Sequence, residues 1–155
     1  MALRNLTRCF GAEKSPAEIR ALARENFRRI GENYASAVKT SFMRPGALDS
    51  YVEYICGEKI LHGPPGQPLT SRVIAIGHFG NFELYTRFHQ FEPAYRAVTT
   101  YRGLRQPSLN RLMQSLRARS GCEFFERRTD AQALKEAMQG GQVLLGLLAD
   151  QHAGD

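Results

Sequence analysis

Arg72-Val-Ile-Ala-Ile-Gly-His-Phe-Gly-Asn-Phe-Glu83 is the stretch that decides the fold. Its first five residues form a short apolar run suited to a buried strand. Gly77-His-Phe-Gly-Asn81 breaks that run, and Phe82-Glu-Leu-Tyr-Thr-Arg-Phe88 resumes with helical spacing. The same alternation continues downstream. Residues 97–101 read as a second strand. Leu109, Leu112, Met113 and Leu116 mark a helix that ends at Gly121, a good terminating residue. Residues 122–125 form a third strand, and Thr129-x-x-Gln132 caps a helix stopped by Gly140-Gly141. Residues 142–149 form a fourth, strongly apolar strand. Apolar strands alternating with helices predict an α/β protein with a mostly parallel sheet flanked by helices.

Upstream, His62-Gly-Pro-Pro-Gly-Gln-Pro68 forbids regular structure. It separates an N-terminal helical region, residues 1–62, from an α/β core, residues 69–155. Within the first region Ser15-Pro16-Ala17-Glu18 is a capping box with proline at the first helical position. It opens an amphipathic helix over about residues 15–41, in which Ile19, Leu22, Ala23, Phe27, Ile30, Tyr34 and Val38 share one face. Arg20, Arg24, Arg28 and Glu25 occupy the other. Such a helix packs its stripe into a core or lies on a membrane surface. Residues 51–55 suit a strand or a short helix, and periodicity does not decide between them.

The chain has 155 residues, enough for one domain with a sizeable core. It contains no apolar run of about 18 residues and no apolar core near its start suited to a secretory signal. Cys9, Cys56 and Cys122 are odd in number and far apart, which predicts free thiols and no structural zinc. The net charge is +6, and 17 of the 21 basic residues are arginine. The segment 96–128 alone holds eight arginines against Glu123 and Glu126. Arginine presents a planar fork that grips phosphate or carboxylate through two bonds, so anionic partners are expected. Aromatic residues do not interleave with these arginines as in a base-stacking platform, and nucleic acid is not expected as a partner.

In open parallel sheets ligands bind at the carboxyl ends of the strands. His78, Tyr101-Arg102 and Asp150-Gln151 each follow a strand directly. They converge if those strands are neighbours. With a helix starting near Asn81, Glu83 falls in its first turn and can fold back to the His78 imidazole. It would fix the tautomer and leave the other ring nitrogen to take a proton from a hydroxyl. Free amides at the helix start could stabilise an anion. Three alternatives are weaker. Gly77-x-x-Gly80 lacks a full nucleotide-binding fingerprint. Asp150-x-His152 with His78 lacks further metal ligands. No serine or cysteine sits in a nucleophile elbow.

Ile76-Gly-His-Phe-Gly-Asn-Phe-Glu-Leu84, Tyr101-Arg102, Arg117-x-Arg119-x-Gly121 and Leu148-Ala-Asp-Gln151 occur in one order. In these motifs the chain resembles the late acyltransferases of lipid A biosynthesis, the lauroyl/myristoyl acyltransferase family. The match is clearest from about residue 73 to 151. The resemblance implies a glycerol-phosphate-acyltransferase-like α/β fold and a membrane-associated enzyme of the His-x4-Glu type. An acyl chain would move from an acyl carrier protein or coenzyme A thioester to a hydroxyl of a phosphorylated glucosamine lipid or related glycolipid. His78 would be the general base and Glu83 its orienting partner. Asn81, Arg102, Arg117, Arg119, Asp150 and Gln151 would bind substrate, with Arg117 foremost in meeting negative charge. No metal or redox cofactor is implied. The partners would be an anionic glycolipid, the acyl carrier and the cytoplasmic face of the inner membrane, with peripheral attachment. Members of that family begin with a hydrophobic anchor and continue well beyond the Asp-Gln pair, so the chain is expected to be an N-terminal part. The competing expectation is a non-catalytic, basic, peripheral module that binds anionic lipid, or an inactive remnant.

Overall fold

A computed structural model of the chain describes residues 1–55, 57, 61, 62 and 66–151. Cys56, His152 and residues 63–65 of the Pro/Gly loop lie outside the described residues. The chain divides into two compact units, Met1–Ser36 and Ala37–Asp155.

The first unit holds α1 (Ala2–Phe10) and most of α2 (Pro16–Ser41). The capping box forms as spaced. The Glu18 carboxylate accepts the Ser15 main-chain N–H at 2.8 Å, and the Glu18 N–H donates to Ser15 Oγ at 3.4 Å. Glu25, Arg28, Arg29 and Glu32 form an exposed ion-pair network along α2. The apolar stripe is mostly uncovered. Ile19 and Ala23 are buried, whereas Phe27 is 62% and Tyr34 65% exposed. Periodicity located this stripe without revealing whether anything covers it. Helix α1 was not anticipated, although Leu3, Leu6 and Phe10 keep helical spacing.

The second unit is a four-stranded, fully parallel sheet. Its strands are β1 (Arg72–Ile76), β2 (Arg96–Tyr101), β3 (Glu123–Glu126) and β4 (Val143–Leu148), in the order β1-β4-β2-β3. The last strand thus inserts between the first two. Helix α3 (Pro107–Arg117) connects β2 to β3, and α4 (Ala131–Gln139) connects β3 to β4. Phe82–Gln90 is a 3-10 helix. Its N-cap, Asn81, makes no side-chain capping bond. Residues 52–55 form neither strand nor helix. Asp130, not Thr129, is the N-cap residue of α4. Its carboxylate accepts the Glu126 N–H at 2.7 Å, and Thr129 Oγ1 donates to it. The hydroxyl expected to cap the helix instead fastens a carboxylate that closes the end of β3.

The sheet is packed on both faces, as the two-residue period of a strand requires. Leu144 joins Leu61 and Tyr95 on one side, with Ile74, Tyr85 and Phe88 against them. Val143, Leu145 and Val98 join Leu134 and Met138 on the other. Gly146 of β4 accommodates the Tyr85 ring, which occupies the space a Cβ would take. The Tyr85 hydroxyl donates to Leu144 O and Val98 O, tying the 3-10 helix to the two central strands. Burial pushes the titration of that phenol upward. Arg87 is 3% exposed and donates to Met43 O at 2.9 Å and Ser41 O at 3.0 Å, so it closes the C-terminal end of α2.

Candidate active site

Parallel register places the two central side chains of the site. Ile76 of β1 pairs with Leu148 of β4, and Ala149 N–H donates to Ile76 O at 3.0 Å. Two residues beyond that pair, His78 and Asp150 stand side by side. One carboxylate oxygen of Asp150 accepts the His78 main-chain N–H at 2.8 Å. The other lies 2.6 Å from His78 Nδ1. An ionised carboxylate only accepts, so Nδ1 carries the proton, and in the neutral ring Nε2 offers its lone pair. The two bonds to His78, imidazole first and main chain second, hold the Asp150 carboxyl below its ordinary value of 3.8. Phe82 meets the imidazole edge-on at 4.9 Å and fixes its other side. Gly80, at φ +55°, takes the left-handed turn that returns the chain from His78 to the 3-10 helix.

Glu83 is placed differently from the sequence expectation. Its carboxylate accepts from Arg117 Nη2 at 3.0 Å, and both side chains are mostly buried. Arg117 also lies over the rings of Phe124 and Tyr101, at 5.3 and 5.9 Å. Among the described residues no hydrogen bond joins Glu83 to His78. The acid on the imidazole is Asp150, delivered by the inserted strand. A five-residue spacing allowed the Glu83 contact, but it carried no information about which strand lies beside β1.

A cavity of about 360 Å³ opens at the carboxyl ends of the strands. His78, Tyr101, Arg102, Arg117 and Arg127 supply its polar wall, with Thr100 and Asn110. Leu104, Met113, Leu147 and Leu148 supply its apolar wall. The expected convergence of His78 and Tyr101-Arg102 is therefore present, and Asp150 touches the cavity through His78. Asn81 is not on the wall; its Nδ2 donates to Thr40 Oγ1 at 3.2 Å. Arg119 is also outside, over the Phe42 ring at 5.0 Å. Gln151 is exposed next to Asp150. Sequence reading did not single out Arg127, although it follows the third strand directly inside the arginine-rich segment.

Glu126, the last residue of β3, orders the loops around the cavity. Its carboxylate accepts the main-chain N–H groups of Arg128 at 2.7 Å, Thr129 at 3.2 Å and Gly103 at 3.3 Å. The Arg128 amide is the foremost cause of its lowered titration. Burial pushes the Cys122 thiol up to about 12, which suits an inert core thiol. Cys9 is exposed. Among the described residues no group of three or more His, Cys, Asp or Glu side chains is placed to hold a metal ion. No helix among them is long and apolar enough to cross a membrane.

A carboxylate-held imidazole thus stands beside arginines at the strand ends of a parallel sheet in an α/β protein. The chain matches the bacterial lipid A biosynthesis acyltransferase family over residues 1–155, and it belongs to that family. Its general activity is accordingly acyl transfer in lipid A biosynthesis. No curated protein matches the chain.

Proposed function

We propose that His78 is the general base of an O-acyl transfer from an acyl carrier protein or coenzyme A thioester to a hydroxyl of a lipid A precursor or related glycolipid. The observation that carries this reading is the His78–Asp150 pair, whose Nε2 has no hydrogen-bond partner among the described residues and belongs to a ring on the cavity wall. Nε2 takes the hydroxyl proton as the oxygen attacks the thioester carbonyl. The tetrahedral intermediate collapses, the C–S bond breaks, and the proton passes from Nε2 to the departing thiolate. The products are an ester and a thiol, and no metal or redox group is called on. Arg117, held by Glu83, supplies positive charge for the oxyanion. Glu83 then acts through Arg117 rather than through the imidazole. Leu104, Met113, Leu147 and Leu148 give the acyl chain an apolar wall. His78→Ala in the intact enzyme should abolish transfer while the protein stays folded. Retained turnover in that variant excludes His78 as the base.

The enzyme would work peripherally at the cytoplasmic face of the inner membrane, where its lipid acceptor lies. The exposed aromatic and aliphatic stripe of α2 supports this placement. The same stripe favours a second reading, a non-catalytic module that binds anionic lipid. Binding to phosphatidylglycerol vesicles, with no acyl transfer and no dependence on His78 or Asp150, would favour the module over the enzyme.

A further inference from the structure

We propose that Arg102 and Arg127 form a phosphate-binding subsite of the cavity, set apart from His78 along the sheet, that holds a phosphorylated part of one reactant. The proposal rests on the acyl-transfer reading of the same cavity.

Strand register brings the two arginines together. β2 and β3 pair from Val98 with Glu123 to Tyr101 with Glu126. Arg102 and Arg127 are the first residues beyond the two strands, and the Arg127 N–H donates to Tyr101 O at 3.0 Å. Neighbouring strands lie about 4.8 Å apart, so the two stems leave the sheet side by side. Both residues line the cavity.

Their charges are not matched by the protein. Of the three arginines on the wall, Arg117 has Glu83 as its partner. Among the described residues neither Arg102 nor Arg127 has a carboxylate partner. Glu126 is adjacent in sequence, but its carboxylate is occupied by the main-chain amides of Gly103, Arg128 and Thr129. It therefore fixes the backbone beyond each arginine without pairing with either guanidinium. Two cations sharing a concave wall repel until an anion lies between them. Two planar forks offer several N–H donors, which suits the three oxygens and double charge of a phosphate monoester or the single charge of a diester.

Position sets the scale. In the order β1-β4-β2-β3, the ends of β2 and β3 lie two and three strand spacings from β1. The phosphate would thus sit about 10–14 Å from the base. In the acyl-transfer reading two reactant groups carry phosphate, the sugar of the acceptor and the pantetheine arm of the donor.

The test is a calorimetric titration of the intact protein with glucosamine 1-phosphate and with 4′-phosphopantetheine. Each is paired with its phosphate-free counterpart, glucosamine or pantetheine. One phosphorylated probe should bind, its counterpart should not, and the probe that binds names the reactant. Arg102→Gln and Arg127→Gln should each weaken that binding about tenfold or more. Arg111→Gln, on the exposed side of α3, should leave it unchanged. His78→Ala should also leave it unchanged while abolishing transfer. Equal binding of phosphorylated and phosphate-free probes, or wild-type binding by Arg127→Gln, overturns the subsite and leaves the base assignment standing. Transfer by His78→Ala overturns the acyl-transfer reading whatever the probes do.

Discussion

Asp150 grips His78 by both ring and main chain, so its replacement tests more than charge. In Asp150→Asn the amide can turn its NH2 toward Nδ1, which moves the ring proton to Nε2 and removes the base. Acyl transfer should fall by about a hundredfold or more, measured on the intact enzyme against a fold check by circular dichroism. The same carboxylate makes a pH prediction. Its titration is lowered in the folded protein, so its contribution to stability is fully present above the ordinary value of 3.8. That contribution is lost as pH falls through the lowered folded value. The stability gap between wild type and Asp150→Asn, followed by urea unfolding, should therefore close in acid as pH falls through that lowered value. Glu83 and Arg117 form a second unit, and their single and double alanine variants should couple by about 0.5–3 kcal/mol in transition-state energy. Additive effects would mean that the two act separately. His78 and Arg102 were legible in the sequence as polar groups just after strands, whereas Arg117 entered through the family resemblance alone. The partner of His78 was not, because it is set by a pairing across 72 residues that local spacing does not encode.

The elements themselves were read more readily than their neighbours. The β1 stretch is bounded as its apolar run predicts, and α2 starts where its capping box stands. Ser15→Ala removes the acceptor for the Glu18 amide and should cost about 1 kcal/mol in thermal or urea unfolding. Element boundaries shifted where side chains chose other partners, as Asp130 did at α4. Strand order was illegible for a different reason. β1 and β4 are both apolar runs, so composition did not tell that β4 enters between β1 and β2. Gly146 marks that insertion, since a methyl there would meet the Tyr85 ring and approach Ile76 Cδ1 to 2.6 Å. Gly146→Ala should destabilise the protein by about 1–3 kcal/mol in equilibrium unfolding. A neutral result would show that the 3-10 helix is not seated on β4.

At the scale of the whole molecule, the net charge of +6 and the uncovered stripe of α2 point to the same kind of surface. Binding to vesicles containing phosphatidylglycerol should weaken as salt rises from 0.1 to about 1 M, where the Debye length shrinks from about 10 to 3 Å. Substituting Phe27 and Tyr34 by serine should weaken binding at every salt concentration, because it removes the apolar part of the attraction. Vesicle co-sedimentation measures both effects. The most direct test of the central claim is the rate of labelled acyl transfer to a lipid A precursor by the intact enzyme, compared among wild type, His78→Ala and Asp150→Asn. The account predicts no turnover without His78 and a severe loss without Asp150, with both variants folded. Near-wild-type transfer by a folded His78→Ala protein would contradict it.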